Sequence, residues 1–111
     1  MERKTRKVPP PLRRALRSVG EDIVTWRKLR GLTQAQLADR SDVSRGTLHR
    51  LEKGDGGVST ENLLRVLRGL GILDNLSKSI DPYESDIGRL RSEQRLPERV
   101  RPQTLREPND G

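Results

Sequence analysis

Residues 27–54 read Arg27-Lys28-Leu29-Arg30-Gly31-Leu32-Thr33-Gln34-Ala35-Gln36-Leu37-Ala38-Asp39-Arg40-Ser41-Asp42-Val43-Ser44-Arg45-Gly46-Thr47-Leu48-His49-Arg50-Leu51-Glu52-Lys53-Gly54. Thr33 precedes a short amphipathic segment. Its hydroxyl suits an N-cap, Gln36 stands where a capping-box partner is needed, and Leu37 and Ala38 share the inward face. After Ser41-Asp42-Val43, Ser44 is a second N-cap, for a helix over residues 45–53. In that helix Leu48 and Leu51 face the core, Arg45, His49 and Arg50 point elsewhere, and Gly54 ends it. The stretch therefore reads as two short capped helices joined by a tight turn.

Outward from this pair, Ser18 and Glu21 form an expected capping box for a first helix. Val19, Ile23, Trp26 and Leu29/Arg30 lie on its packed face, and Gly31 stops it. Ser59-Thr60-Glu61-Asn62 caps a fourth helix with Leu63, Leu64, Val66, Leu67 and Leu70 inward, ending at Gly69 or Gly71. Leu73, Leu76 and Ile80 mark a last short helix over residues 73–79, stopped by Asp81-Pro82. The expected fold is all-α, with five helices in residues 18–80. Residues 1–17 are read as a basic arm, extended around Pro9, Pro10 and Pro11. Residues 81–111 are read as a polar, partly disordered tail in which 87–94 alone has a helical pattern.

Composition removes most chemistry. The chain has 111 residues, 30% of them hydrophobic and 2% aromatic, which suits one small domain with tails. There is no Cys and a single His, so neither a disulfide nor a Cys- or His-based metal site is expected. No cofactor is expected. No nucleophile with a base and no paired carboxylates suggest an enzyme, so the expectation is a protein without catalysis. No apolar run is long enough for a membrane span, and the N-terminus is basic without an apolar segment, so a cytoplasmic, nucleoid-associated protein is expected. The net charge of +7 favours a polyanionic partner. Residues 1–17 carry seven basic side chains and one acidic, so most of the excess lies there.

A short helix, a turn and a second short helix in residues 33–53 meet the requirement of a helix-turn-helix, whose second helix enters the DNA major groove. The stretch Arg27 to Ala38, with Val43-Ser44 and Leu48-His49-Arg50-Leu51-Glu52-Lys53-Gly54, closely resembles the Cro/C1-type (Xre-like, lambda-repressor-like) helix-turn-helix family. The resemblance spans about residues 19–76. It implies double-stranded DNA as partner, a phosphate contact for Gln34 at the start of the second helix beside Thr33, and a recognition helix capped by Ser44. Arg45, Gly46, Thr47, His49 and Arg50 are then expected at base edges and adjoining phosphates, with Lys53 beside them. Arg45 and Arg50 suit guanine, since a guanidinium fork matches O6 and N7. Gly46 either lets the backbone approach DNA closely or is a tolerated helix-interior glycine. The resemblance also implies a partly buried ion pair between Arg27 and Glu52. Where the family usually has Gly in the inter-helix turn, this chain has Asp42, which tolerates the left-handed conformation better than most residues.

The function expected is a sequence-specific repressor binding a palindromic operator as a homodimer, with half-sites about 34 Å apart. Leu73, Leu76 and Ile80 are the expected dimer surface. The tail segments Asp81 to Arg91 and Leu96 to Arg101 resemble, more distantly, HipB-like antitoxins, which implies a HipA-like kinase toxin as a further partner and repression of the shared operon. The alternative to DNA reading is an interaction module of the same fold that has lost DNA binding and works through its tail.

Overall fold

The computed structural model describes residues 6–95, all of whose regular elements are helical. They are α1 (Pro10–Leu29), α2 (Gln34–Ser41), α3 (Arg45–Glu52), α4 (Thr60–Leu70), α5 (Leu73–Ile80), a 3-10 turn (Pro82–Glu84) and α6 (Asp86–Arg95). The fold class is that expected. Residues 1–5 of the basic arm and 96–111 of the tail lie outside the described residues.

One boundary corrects the sequence reading. The first helix begins at Pro10, not after Ser18, and residues 10–17 are helical, not extended. The prolines start this helix. Pro9 takes the N-cap position at φ −59°, ψ 147°, and Pro10 and Pro11 occupy first-turn positions whose N–H groups have no intrahelical acceptor to lose. The packed face is corrected in part: Ile23 is buried and Trp26 half-buried as expected, but Leu29 is 71% and Val19 41% exposed, while Gly20 is buried and Arg27 lies on its side. The spacing Leu16, Gly20, Ile23, Arg27 is an equally good helical stripe, in which a glycine and an arginine conceal the pattern.

The other ends obey their caps. Thr33 accepts from the Gln36 N–H at 3.1 Å while the Gln36 side chain accepts from the Thr33 N–H at 2.8 Å, a complete capping box. Ser44 caps α3 through the Thr47 N–H and Ser59 caps α4 through the Asn62 N–H. Gly71, in the left-handed region at φ 80°, closes α4, so the helix runs through Gly69. Asp42 closes α2 at φ 58°, ψ 46°, the one non-glycine residue with positive φ among those described.

In residues 6–73, Ile23, Leu37, Ala38, Leu48, Leu51, Val66, Leu67 and Leu70 form the core. Small residues set the helix separations. A Cβ on Gly20 would stand 2.5 Å from the Glu52 carbonyl oxygen, and one on Gly69 would overlap the Ser41 hydroxyl, so α1–α3 and α2–α4 meet with backbone close to neighbour. Arg30 ties the end of α1 to that of α4: its Nε donates to the Leu70 carbonyl at 3.1 Å, and its guanidinium lies 5.3 Å from the Trp26 ring centre.

Residues 74–95 form a separate unit. Asp81 accepts from the Tyr83 N–H, Ser85 from the Gly88 N–H, and Arg89 donates to the Tyr83 carbonyl and to Asp86. Within α5, the 3-10 turn and α6 no residue is buried, and Ile80, Ile87 and Leu90 are 75%, 68% and 55% exposed. The helical pattern read over 87–94 corresponds to α6.

Candidate nucleic-acid interface

The α2–α3 pair is held in one geometry by a single carboxylate. Glu52, at the end of α3, has a side chain only 4% exposed. Arg27 of α1 donates from Nε to its Oε2 at 2.8 Å and from Nη2 to Oε1 at 3.2 Å, and uses Nη1 on the Leu32 carbonyl. Such a fork fixes both the distance and the plane between α1 and α3. Gln34, the first residue of α2, donates from Nε2 to Glu52 Oε1 at 2.7 Å. Its amide also stands 3.5 Å from His49 Nδ1. The Gln34 amide nitrogen therefore joins α2 to α3, a use that no local pattern in the sequence discloses.

Around this junction Thr33, Ser44, Arg45, Gly46, His49, Arg50 and Lys53 are exposed, and Gln34 and Thr47 are half-buried. They draw together the start of α2 and the outer face of α3. A Cβ on Gly46 would meet only the Ser44 hydroxyl, 4.0 Å away, so nothing inside the protein demands glycine there. The Ser44 hydroxyl also donates to Thr47 Oγ1 at 2.8 Å, turning both small side chains to the helix start.

Arg50 has a partner that sequence patterning does not reveal. Its Nε donates to Asp55 Oδ2 at 2.8 Å, while Asp55 Oδ1 accepts from the Gly57 N–H at 2.7 Å. The Arg50 hydrogen bond, together with the weaker effect of that from Gly57, holds the Asp55 carboxyl below its usual range. The turn at Gly54, φ 85°, brings this acceptor back towards α3.

Residues 23–73 match the family model described as Helix-turn-helix. The chain carries a Cro/C1-type helix-turn-helix domain. Neither the comparison with curated proteins nor that with solved structures gave a match. The matched stretch covers α2 and α3 entire, together with α4 and the part of α1 that holds Arg27. In this DNA-binding helix-turn-helix domain α2 and α3 are the two short helices joined by the turn at Asp42. The N-terminal turns of α1 lie outside the matched residues. No helix among the described residues is long and apolar enough to cross a membrane. Residues 73, 76 and 80, expected at a dimer surface, lie along α5, where Leu73 and Leu76 are half-buried and Ile80 is exposed.

Proposed function

We propose that the protein is a transcriptional repressor that reads a palindromic operator as a homodimer, through α3 in the major groove. The observation that carries this is the exposed outer face of α3, with Arg45, Gly46, His49 and Arg50, on a helix whose orientation is set by Glu52 and its bonds to Arg27 and Gln34. A recognition helix must be held rigidly to compare base edges. Arg45 and Arg50 take guanine, and Thr33, Ser44, Thr47, His49 and Lys53 serve adjoining phosphates and bases. With the Gln34 amide nitrogen committed to Glu52, phosphate is met at the start of α2 by the main-chain N–H groups of Gln34 and Ala35.

One recognition helix reads few base pairs, so a second copy supplies the other half-site. Leu73, Leu76 and Ile80 of α5 form the contact between copies. A mobility-shift titration on the protein's own upstream DNA and on scrambled DNA, at two salt concentrations, tests the proposal. Preference for the upstream DNA that survives higher salt is the expected result; equal, salt-sensitive binding to both sinks it. A mass measurement finding only a monomer on DNA removes the dimer.

A finer reading, antitoxin of a HipA-like kinase, is favoured by the unburied apolar side chains Ile87 and Leu90 in α6. Co-elution with the product of an adjacent kinase-like gene is its test, and failure to co-elute ends it.

A further inference from the structure

We infer that Asp55 is a positioning residue for base reading: it holds Arg50 by Nε so that the two terminal nitrogens are presented together to guanine. This rests on the DNA-reading proposal above. Two bonds tie the two residues together and a third fixes the carboxylate. The Asp55 main-chain N–H donates to the Arg50 carbonyl at 3.0 Å, the Arg50 Nε donates to Asp55 Oδ2, and the Gly57 N–H fastens Asp55 Oδ1. The Gly57 N–H thus fixes the carboxylate at Oδ1 and leaves Oδ2 to orient the arginine. No acceptor for Arg50 Nη1 or Nη2 is present among the described residues, and the side chain is 51% exposed.

Gly57 keeps the space beside the fork open. A Cβ there would lie 3.4 Å from Arg50 Nη2 and 3.1 Å from Asp55 Oδ1. Guanine offers O6 and N7 as two adjacent acceptors, which two parallel N–H donors match. The pairing also determines what Arg50 does poorly. An arginine already beside a carboxylate adds little net charge, so it gains little from phosphate, while its free N–H groups keep their directional bonds. Asp55 therefore turns Arg50 from a general phosphate binder into a base reader.

The test uses the full chain and Asp55→Asn. The asparagine oxygen can still accept from the Gly57 N–H and preserve the turn, but its NH2 group then faces Arg50 Nε, donor against donor. Wild type, Asp55→Asn and Arg50→Ala are each used to select from a pool of randomised duplexes, and binding to a non-selected duplex is titrated against salt. The expected result is that Asp55→Asn loses about tenfold of its preference at the same guanine position that Arg50→Ala loses. It should also bind the non-selected duplex more tightly than wild type and with a steeper salt dependence, because one negative charge has gone.

A merely structural role would weaken both kinds of binding. Selection by Asp55→Asn of the wild-type sequence with undiminished preference, or parallel weakening on all duplexes, overturns the inference while leaving DNA reading intact. If wild type itself selects no sequence, DNA reading falls first and the role of Asp55 with it.

Discussion

Gly20 of α1 and Glu52 of α3 are in backbone contact: a Cβ on Gly20 would stand 2.5 Å from the Glu52 carbonyl oxygen and 2.8 Å from that of Leu51. Carbonyls at a helix end cannot move aside without shifting the helix. Gly20→Ala must therefore push α1 from α3, at a cost of about 1–3 kcal/mol as for other overpacked sites. A urea melt gives the stability. If the alanine variant melts with wild type, the close approach is wrong.

Glu52 is nearly inaccessible and depends on Arg27, whose side chain is 13% exposed. Arg27→Ala leaves a buried carboxylate with Gln34 as its remaining side-chain donor. The expected loss is about 3–5 kcal/mol, well above the roughly 0–1 kcal/mol of an exposed pair. Arg27→Met combined with Glu52→Leu should recover much of that stability, because no charge is then stranded. Denaturant midpoints of the single and double variants check both statements.

Asp42 holds the turn between α2 and α3 with positive φ, and its carboxylate meets Arg65 Nη1 at 3.1 Å with 90% of the Asp42 side chain exposed. So exposed a bridge contributes little. Backbone preference should dominate. Asp42→Ala is expected to lose about 1 kcal/mol, from the crowding of Cβ in the left-handed region, and Asp42→Gly to match or exceed wild type. Thermal melts of the two variants should separate in that order; the reverse order would assign the stability to Arg65.

Asp55 has its carboxyl pKa lowered by Arg50 first and Gly57 second. A lowered carboxylate pKa favours the folded pair above the ordinary Asp value of about 3.9, and the contribution is lost as pH falls through the lower folded value. The Arg50–Asp55 contact should therefore persist unchanged from about pH 8 to about pH 5, both well above that range. An NMR titration of the Asp55 side-chain carbon provides the check, with a midpoint below that of Asp in a model peptide. A midpoint at or above the peptide value would remove the pair.

The elements most legible in the sequence are those whose ends are written locally. Thr33 with Gln36, Ser44 with Thr47 and Ser59 with Asn62 each close a cap within three residues, and α2, α3 and α4 begin where these caps require. Gly54 and Gly71 take positive φ just beyond the ends of α3 and α4. The start of α1 departs from the sequence expectation because consecutive prolines suit an extended chain and the first turn of a helix equally well, and the residues after them decide. The packed face of α1 departs for a different reason: Gly20 has no hydrophobic side chain to announce burial, and Arg27, whose partly buried pairing with Glu52 the family resemblance implies, carries no apolar mark in the helical pattern.

Local sequence determined the caps, the helix lengths from α2 onward, the left-handed turn at Asp42, and the helix-turn-helix character of residues 33–53, because each depends on neighbours a few positions apart. Tertiary structure alone decided how the charged and amide groups are shared. Gln34 and Glu52 are 18 positions apart and Arg27 and Glu52 25 apart, and both bonds need separate helices brought side by side, α1 against α3 at Gly20 in the case of Arg27. Arg50 and Asp55 are only five positions apart, yet their contact needs the reversal at Gly54 and the anchoring N–H of Gly57. Hydrogen bonds are short and directional, so residue type can nominate the partners, but the fold must deliver the geometry.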